Sequence, residues 1–249
     1  TALAHPVRPS SYIEISNFYT TTIYEKGAEV VGMYRTLLGD DKFRQGTDLY
    51  FDRHDGQAAT TDDFMQAMSE AGNVDLSQFE RWYEQAGTPE LRVTEDYQDG
   101  VLTLAIEQSC PATPGQEQKA PFHMPILLGL LDAAGAEIAI RDEQVSSGAQ
   151  TQLRDKGRTI LLELRDKVTQ LVISGLNGKP VVSFLRQFSA PVKVEYQRPG
   201  SELGFLARYD QDGFVRWDAL QTMWVSQFDQ RSGVALSLIH ISEPTRLEP

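Results

Sequence analysis

Apolar side chains recur with helical spacing over the first third of the chain. Residues 23–38 place them close to a 3.6-residue period, and Gly39 follows where a glycine commonly ends a helix. The spacing continues over 43–51 and again after Thr60, whose side chain can cap a helix that Gly72 ends. Residues expected in the core of this helical part are Phe43, Leu49, Tyr50, Phe64, Met68, Leu76, Phe79, Trp82 and Tyr83.

The pattern changes near residue 90 to two-residue alternation, which is typical of strands. Turn pairs such as Asp99-Gly100 and Asn177-Gly178 separate the runs. Seven or eight short strands at this spacing predict an antiparallel β-sandwich. The runs that carry the prediction are 91–94, 101–106, 159–164, 168–174, 181–185 and 192–196.

A helical pattern returns near Gly200. One face of the predicted helix carries Phe214, Trp217, Leu220, Met223 and Trp224. An exposed stripe with two tryptophans and a phenylalanine is typical of half an interface. The chain as a whole therefore has the pattern of an α+β multidomain fragment: helices, then an antiparallel Ig-like sandwich, then the start of a second helical part.

Charge narrows the choice of partners. The 249 residues include 35 Asp and Glu against 23 Lys and Arg, a formal net charge of −12. Such a surface repels nucleic-acid phosphates and anionic lipid, so we expect neither as a partner. It weakly favours a cationic group such as a peptide amino terminus.

The chain carries no predicted targeting or membrane-spanning segment. Apolar runs stay far below the roughly 20 residues that span a bilayer, and the first residues lack the basic and apolar regions of a signal peptide. Cys110 is the only cysteine, so an internal disulfide is impossible. These features favour the cytoplasm, with the periplasm as the open alternative.

The histidines do not have the spacing of a zinc site. His5, His54, His123 and His240 include no pair four residues apart, the spacing that places two imidazoles on one helix face. Glycine-rich phosphate loops and serine-elbow motifs are also missing from the sequence. We therefore predict no metal site and no complete catalytic constellation in this chain.

The stretch NFYTTTIYEKGAEV at residues 17–30 carries the candidate chemistry. Tyr19 and Tyr24 precede a helix, and Gly27 allows close backbone approach. A phenol at a helix start can project into a cleft and donate to a developing oxyanion. It can equally be an amphipathic core residue with a satisfied hydroxyl, and residue types alone leave both interpretations open.

A resemblance adds to this picture. YEKGAEV at residues 24–30 resembles the tyrosine segment of the M1 family of zinc aminopeptidases, in particular its bacterial aminopeptidase N type. The similarity extends over about residues 4–235. The further segments that carry it are AHPVRP at 4–9, YFDRHDGQAAT at 50–60, FERWYEQAGTP at 79–89, PATPGQ at 111–116, FSAPVK at 188–193 and FVRWDA at 214–219.

The resemblance implies a division into domains. It assigns residues 1–89 to the helical C-terminal portion of a thermolysin-like catalytic domain, 90–197 to the β-sandwich and 198–235 to the start of a C-terminal helical domain. Residues 236–249 resemble a translated sequencing-library adaptor. We interpret them as a non-native tail, so the natural chain is expected to be interrupted after about Ala235.

The resemblance also implies roles for single residues. Tyr24 matches the tyrosine that stabilises the oxyanion, and Asn17 and Tyr19 match positions that line the substrate cleft. His54 is interpreted as part of a helix C-terminus and turn together with Asp55. We expect structural roles for Cys110 and His123.

The family also needs a Gly-x-Met-Glu-Asn segment, a His-Glu-x-x-His helix and a downstream Glu, none of which occurs in this sequence. The implied parent is a longer, monomeric, zinc-dependent hydrolase that releases N-terminal residues from peptides, with its Zn²⁺ ligands outside this chain. A first residue other than Met agrees with a chain cut from a longer one. This chain by itself is then expected to be inactive.

Two alternatives stay open at this point. One is a non-catalytic interaction module that binds a partner through Trp217 and Trp224. The other is a member of the same family that hydrolyses epoxides, since such members share the Tyr-Glu-Lys-Gly segment.

Overall fold

The structure is a computed structural model that describes residues 4–11 and 14–232, with side chains as far as residue 228. The interpreted tail at 236–249, its His240 and the proposed interruption after Ala235 lie outside these residues. The described chain forms helices, then two β-sheets, then two further helices, which confirms the α+β fold class. The domain boundaries themselves stay a prediction.

The first part of the described chain is helical. A 3₁₀ turn spans Ile15–Phe18 and a π-helical turn spans Thr22–Lys26. A second 3₁₀ turn, Ser77–Glu80, leads into the last helix of this part. The α-helices are α1 (Gly27–Leu38), α2 (Asp40–His54), α3 (Thr61–Gly72) and α4 (Arg81–Glu84).

Helix boundaries follow local residue chemistry. Gly39, between α1 and α2, has φ 77°, a conformation that glycine adopts without steric penalty. The Thr60 hydroxyl accepts from the Asp63 backbone N–H, and the Asp63 carboxylate accepts from the Thr60 N–H. This reciprocal capping box confirms the predicted start of α3.

The helical core centres on Tyr34 of α1. Its ring lies 4.4 Å from that of Phe79 and 5.6 Å from that of Phe64, centroid to centroid. Its hydroxyl shares a buried 3.2 Å hydrogen bond with that of Tyr83. Val31 of the same helix is 38% exposed although it fits the apolar period.

Nine strands form the two sheets of the described sandwich. One sheet has the order β4-β7-β2-β1-β9 and the other β5-β6-β3-β8. Neighbours pair antiparallel except β1 and β9, which pair parallel from Glu90 opposite Lys193. The strands are β1 (Glu90–Gln98), β2 (Val101–Ser109), β3 (Met124–Leu131), β4 (Val145–Ser147), β5 (Thr151–Arg154), β6 (Thr159–Leu164), β7 (Val168–Ile173), β8 (Val181–Phe184) and β9 (Lys193–Tyr196).

Strand β3 is the principal element that the sequence pattern misses. All eight of its residues are buried, so it shows no alternation of apolar and polar side chains. It pairs with β6 on one side and β8 on the other and forms the centre of its sheet. The short strands β4 and β5 are missed as well.

Two helices follow the sandwich, α5 (Gly200–Tyr209) and α6 (Gly213–Ser232). Val215 and Ala219 of α6 are buried, whereas Trp217 and Trp224 are 55% and 57% exposed. Phe214 was expected on the exposed stripe, but its ring packs 5.0 Å from that of Phe188 beside the sandwich. Across the described residues, the helices lack the length and apolarity that a bilayer crossing requires.

Candidate functional site

The candidate tyrosine lies on the π-helical turn Thr22–Lys26 that opens α1. The turn starts at Thr20, whose carbonyl accepts from the backbone N–H groups of Ile23 and Tyr24, each at 3.1 Å. His5 donates from Nδ1 to a backbone carbonyl at 2.8 Å, which leaves its Nε2 to accept from the Thr20 hydroxyl at 2.9 Å. Single π-helical turns occur often at functional sites.

Tyr24 and Tyr19 are both open to solvent. Their side chains are 58% and 61% exposed, and their rings stack with centroids 6.0 Å apart and planes 29° apart. The interpretation of Tyr24 as a buried core tyrosine is therefore wrong. The phenol is free to meet a ligand, and its neighbour supplies an aromatic surface beside it.

Asn17 belongs to the same segment. It lies in the 3₁₀ turn Ile15–Phe18, its backbone N–H donates to Glu14 at 3.0 Å, and the residue is exposed. The structure thus places all three predicted site residues, Asn17, Tyr19 and Tyr24, on one exposed stretch. That Asn17 and Tyr19 line a substrate cleft stays a prediction.

Lys26 is a residue that the sequence analysis did not single out. It ends the π-helical turn, and its ammonium donates to the Gly87 carbonyl at 2.7 Å, 61 residues further along the chain. The same Nζ lies 5.6 Å from the centroid of the Trp82 ring. Burial lowers the pKa of Lys26 to about 8, because removing an ammonium from water disfavours the charged form.

The backbone at Ala86 and Gly87, which accepts the hydrogen bond from Lys26, is fixed by residues of the sandwich part. Gly87 has φ +93°, and a Cβ there would lie 3.3 Å from both Cys110 Sγ and the Thr113 methyl. Lys119 donates to the Ala86 carbonyl at 3.0 Å and to the Thr113 hydroxyl at 2.7 Å. Burial raises the pKa of the Cys110 thiol, and its Sγ lies 3.7 Å from the Ala86 oxygen.

His54 and Asp55 have the positions expected of a helix end. His54 is the last residue of α2 and Asp55 is its C-cap, followed by Gly56 at φ 70°. The His54 carbonyl accepts from the Gln57 backbone N–H at 3.0 Å, which closes the turn. This geometry agrees with the interpretation of the pair as helix terminus and turn.

His123 is buried inside the sandwich. Its Nε2 lies 2.8 Å from a carboxylate oxygen of Glu163, which Arg165 also contacts at 3.3 Å. Burial pushes the pKa of Glu163 upward, but the hydrogen bond and charge of His123, with help from Arg165, hold it below its usual value. The contacts of His123 are those of a structural residue.

A metal ion of the kind the resemblance implies does not fit the described residues. Over residues 4–11 and 14–232, no three side chains of His, Cys, Asp or Glu gather closely enough to hold one. His123 has a single carboxylate beside it, and His5 is bonded to a threonine and a backbone carbonyl. The described residues thus provide a tyrosine and the hydrogen bonds that hold its turn, but they do not provide a ligand set for zinc.

Family comparisons divide the chain at the same junction that Lys26 spans. Residues 1–83 match the peptidase family M1 domain, and residues 87–197 match DUF3458, a domain of unknown function with an Ig-like fold. The class that these matches define is a peptidase family M1 domain followed by an Ig-like domain.

Individual relatives agree. The chain is 42% identical over 254 aligned residues to aminopeptidase N of Escherichia coli and 39% identical over 229 to that of Haemophilus influenzae, covering 98% and 90% of this chain. The crystal structure of Legionella pneumophila aminopeptidase A in complex with aspartic acid superposes with a TM-score of 0.76 at 26% identity, over 98% of this chain. The chain spans about a quarter of the length of these proteins: 28%, 25% and 25%.

The chain belongs to the M1 peptidase family.

Proposed function

We propose that this chain is part of a metallo-aminopeptidase that hydrolyses N-terminal residues from peptides, and that Tyr24 supplies its oxyanion-stabilising hydroxyl. The observation that carries the proposal is the exposed phenol on a π-helical turn whose two ends are hydrogen-bonded to distant parts of the chain. A fixed backbone with an open hydroxyl suits a group that must meet a substrate in one geometry.

The chemistry asked of Tyr24 is a single hydrogen bond. During peptide hydrolysis, negative charge develops on the oxygen of the scissile carbonyl. A phenol O–H aimed at that oxygen bonds more strongly as the charge grows, so it stabilises the transition state more than the bound substrate. In this proposal Asn17 and Tyr19 border the peptide next to Tyr24, and the acidic surface attracts its free amino terminus.

Zinc, where the family requires it, would polarise the carbonyl and activate water. The described residues offer no ligand set for it, so we place its ligands outside them. A hydrogen-bond donor without a metal or a general base does not hydrolyse peptides. The 249-residue chain alone is accordingly inactive in this proposal. The proposal also includes a full-length protein that is monomeric and lies in the bacterial cytoplasm.

Two alternatives receive less support. The relatives named above are all aminopeptidases, which favours peptide hydrolysis over epoxide hydrolysis. The exposed Trp217 and Trp224 suit an interaction surface, but they do not argue against an enzyme because both properties can belong to one chain.

The direct test is Tyr24→Phe in a full-length M1 aminopeptidase that carries this segment. We expect kcat to fall about 10²–10³-fold with little change in KM, the usual loss for one oxyanion donor. Tyr97→Phe, which removes a phenol hydroxyl from strand β1 of the sandwich, is the matched control and should leave both constants unchanged. Wild-type kcat in Tyr24→Phe would remove Tyr24 from the mechanism.

A second test uses the 249-residue chain itself. Purified protein is analysed for zinc by elemental mass spectrometry and assayed with an aminoacyl arylamide. We expect substoichiometric metal and no turnover. Stoichiometric zinc together with cleavage would show that the site is complete in this chain and would overturn the division proposed above.

A further inference from the structure

The Tyr24 turn is attached at both ends. At its start, His5 holds Thr20, whose carbonyl and hydroxyl receive the first N–H groups of the turn. At its end, Lys26 reaches out of the helical part to the Gly87 carbonyl. A single residue, Glu25, separates Lys26 from Tyr24, so a shift in one backbone position is passed directly to the other.

The groups around the Lys26 ammonium contact the sandwich as well as the helices. Its aromatic neighbour Trp82 donates from Nε1 to the His123 carbonyl at 2.8 Å. The Trp82 ring also packs 4.6 Å from that of Phe122, centroid to centroid. Both partners come immediately before strand β3, so the ring that Lys26 lies against is positioned by the sandwich.

The carbonyl that accepts from Lys26 is positioned in the same way. The preceding Ala86 donates its N–H to the Gln116 side-chain oxygen at 2.8 Å and accepts from Lys119 at 3.0 Å. Gly87 itself adopts a left-handed conformation, and Cys110 and Thr113 occupy the space that a Cβ would need. Donors and acceptors from the 110–119 loop therefore fix the two peptide units that directly precede the Gly87 carbonyl.

We propose that Lys26 is a positioning residue that couples the sandwich to Tyr24. Its ammonium binds a carbonyl and an aromatic face that the sandwich holds still, and its backbone ends the turn on which the phenol is mounted. A sandwich packed behind the helical part then sets where the Tyr24 hydroxyl lies. The effect on catalysis rests on the function proposed above, whereas the effect on the position of Tyr24 does not.

The position is tested by NMR of the 249-residue chain with ¹³C-labelled tyrosine. Lys26→Met keeps the length of the stem and removes the donor, and Lys26→Arg keeps a cationic donor. We expect Lys26→Met to shift the Tyr24 and Tyr19 ring signals and to weaken the contacts between the two rings, with Lys26→Arg restoring much of the wild-type spectrum. Unmoved ring signals in a folded Lys26→Met protein would overturn the proposal.

A matched control is available in α2. Lys42 also donates to a glycine carbonyl, that of Gly72, at 2.9 Å, and this bond joins α2 to the end of α3 without involving the Tyr24 turn. Lys42→Met should leave the Tyr24 and Tyr19 signals in place. Equal shifts in both methionine variants would reduce Lys26 to a general stabilising residue and would contradict the coupling.

A wild-type measurement covers the case in which Lys26→Met does not fold. Below its pKa, the Lys26 ammonium protons should exchange slowly with water and show contacts to the Trp82 ring. Exchange as fast as that of the exposed lysines would overturn the proposal without any substitution.

The catalytic consequence is measured in the full-length enzyme. A donor misplaced by a fraction of an ångström loses much of its effect, so we expect Lys26→Met to lower kcat about 10–100-fold with KM nearly unchanged, partly rescued by Lys26→Arg. If Tyr24→Phe leaves kcat unchanged but Lys26→Met still shifts the tyrosine signals, the catalytic role of Tyr24 is contradicted and the coupling is supported. If Tyr24→Phe lowers kcat and Lys26→Met changes neither the signals nor kcat, the coupling fails alone.

Discussion

The guanidinium of Arg186 lies directly against the Cα of Gly129 in strand β3. A Cβ at Gly129 would lie 2.2 Å from the central guanidinium carbon, far inside contact distance. Arg186 is buried, donates to Ser183 at 2.7 Å and to Thr159 at 3.1 Å, and pairs with Glu137 at 3.0 Å. Because Gly129 has no side chain, there is room for the buried guanidinium of Arg186 in the sandwich.

Gly129→Ala should destabilise the protein strongly. The new methyl group cannot fit unless Arg186 moves, and Arg186 cannot move without leaving Glu137 short of its partner. We expect the free energy of unfolding to fall by about 3 kcal/mol, measured by urea denaturation. Gly178→Ala, at a glycine with open space around its Cβ position, should change it by less than about 0.5 kcal/mol. A Gly129→Ala protein as stable as Gly178→Ala would contradict the packing described.

The capping box at the start of α3 should be measurable as one unit. Thr60→Ala removes the acceptor of the Asp63 N–H, and Asp63→Asn weakens the return bond, so each should cost about 1 kcal/mol of unfolding free energy. The double variant should cost less than the sum, because either change alone already disrupts the reciprocal pair. Thr36→Ala, which replaces a threonine inside α1, serves as the control and should cost little. Additive losses at Thr60 and Asp63 would show that the two bonds are independent.

Burial of Lys26 makes stability depend on pH in a defined direction. The folded pKa is about 8 against an ordinary value of 10.5, so above pH 8 the unfolded chain holds this proton while the folded chain releases it. The free energy of unfolding should therefore rise with pH, by about 1 kcal/mol per unit at most. Lys119, whose pKa burial also lowers, adds to the rise.

The Cys110 thiol opposes this trend at higher pH. Its folded pKa is raised from 9.0, so the folded state keeps the thiol proton that the unfolded state loses, and stability falls above pH 9. The rise is best measured by urea denaturation between pH 8 and 9. Lys26→Met should make the rise less steep in this range, leaving the contribution of Lys119, whereas Lys42→Met should preserve the wild-type slope. A slope as steep in Lys26→Met as in the wild type would place the titrating group elsewhere.

The three tryptophans should differ clearly in their accessibility to a quencher in solution. Trp82 is fully buried and hydrogen-bonded, whereas Trp217 and Trp224 are more than half exposed on α6. Iodide should quench the fluorescence of the latter two and leave that of Trp82 nearly untouched, as single-tryptophan variants would show. Trp217→Gln should change stability by less than about 0.5 kcal/mol, against about 3 kcal/mol for Trp82→Ala. Quenching of Trp82 by iodide would contradict its burial.

Local sequence chemistry determined the helix boundaries of this protein. Gly39 needs a positive φ that other residues resist, and Thr60 with Asp63 satisfies N–H groups within four residues of each other. Both signals act over one turn, so they are visible without knowledge of the rest of the fold. Alternating strands such as β2 were predictable for a similar reason, since one of their faces is buried and the other is not.

The tertiary structure decided the features that depend on distant residues. Strand β3 is buried on both faces, which erases the alternation that would reveal it, and the parallel pairing of β1 with β9 joins segments about 100 residues apart. The sequence pointed to Tyr24 through a resemblance, but its exposure is a property of the folded chain. The burial of Lys26 against Gly87 depends on how the sandwich packs on the helices. Burial and long-range hydrogen bonds are properties of the packed chain, because the water that each side chain loses is displaced by residues remote in sequence.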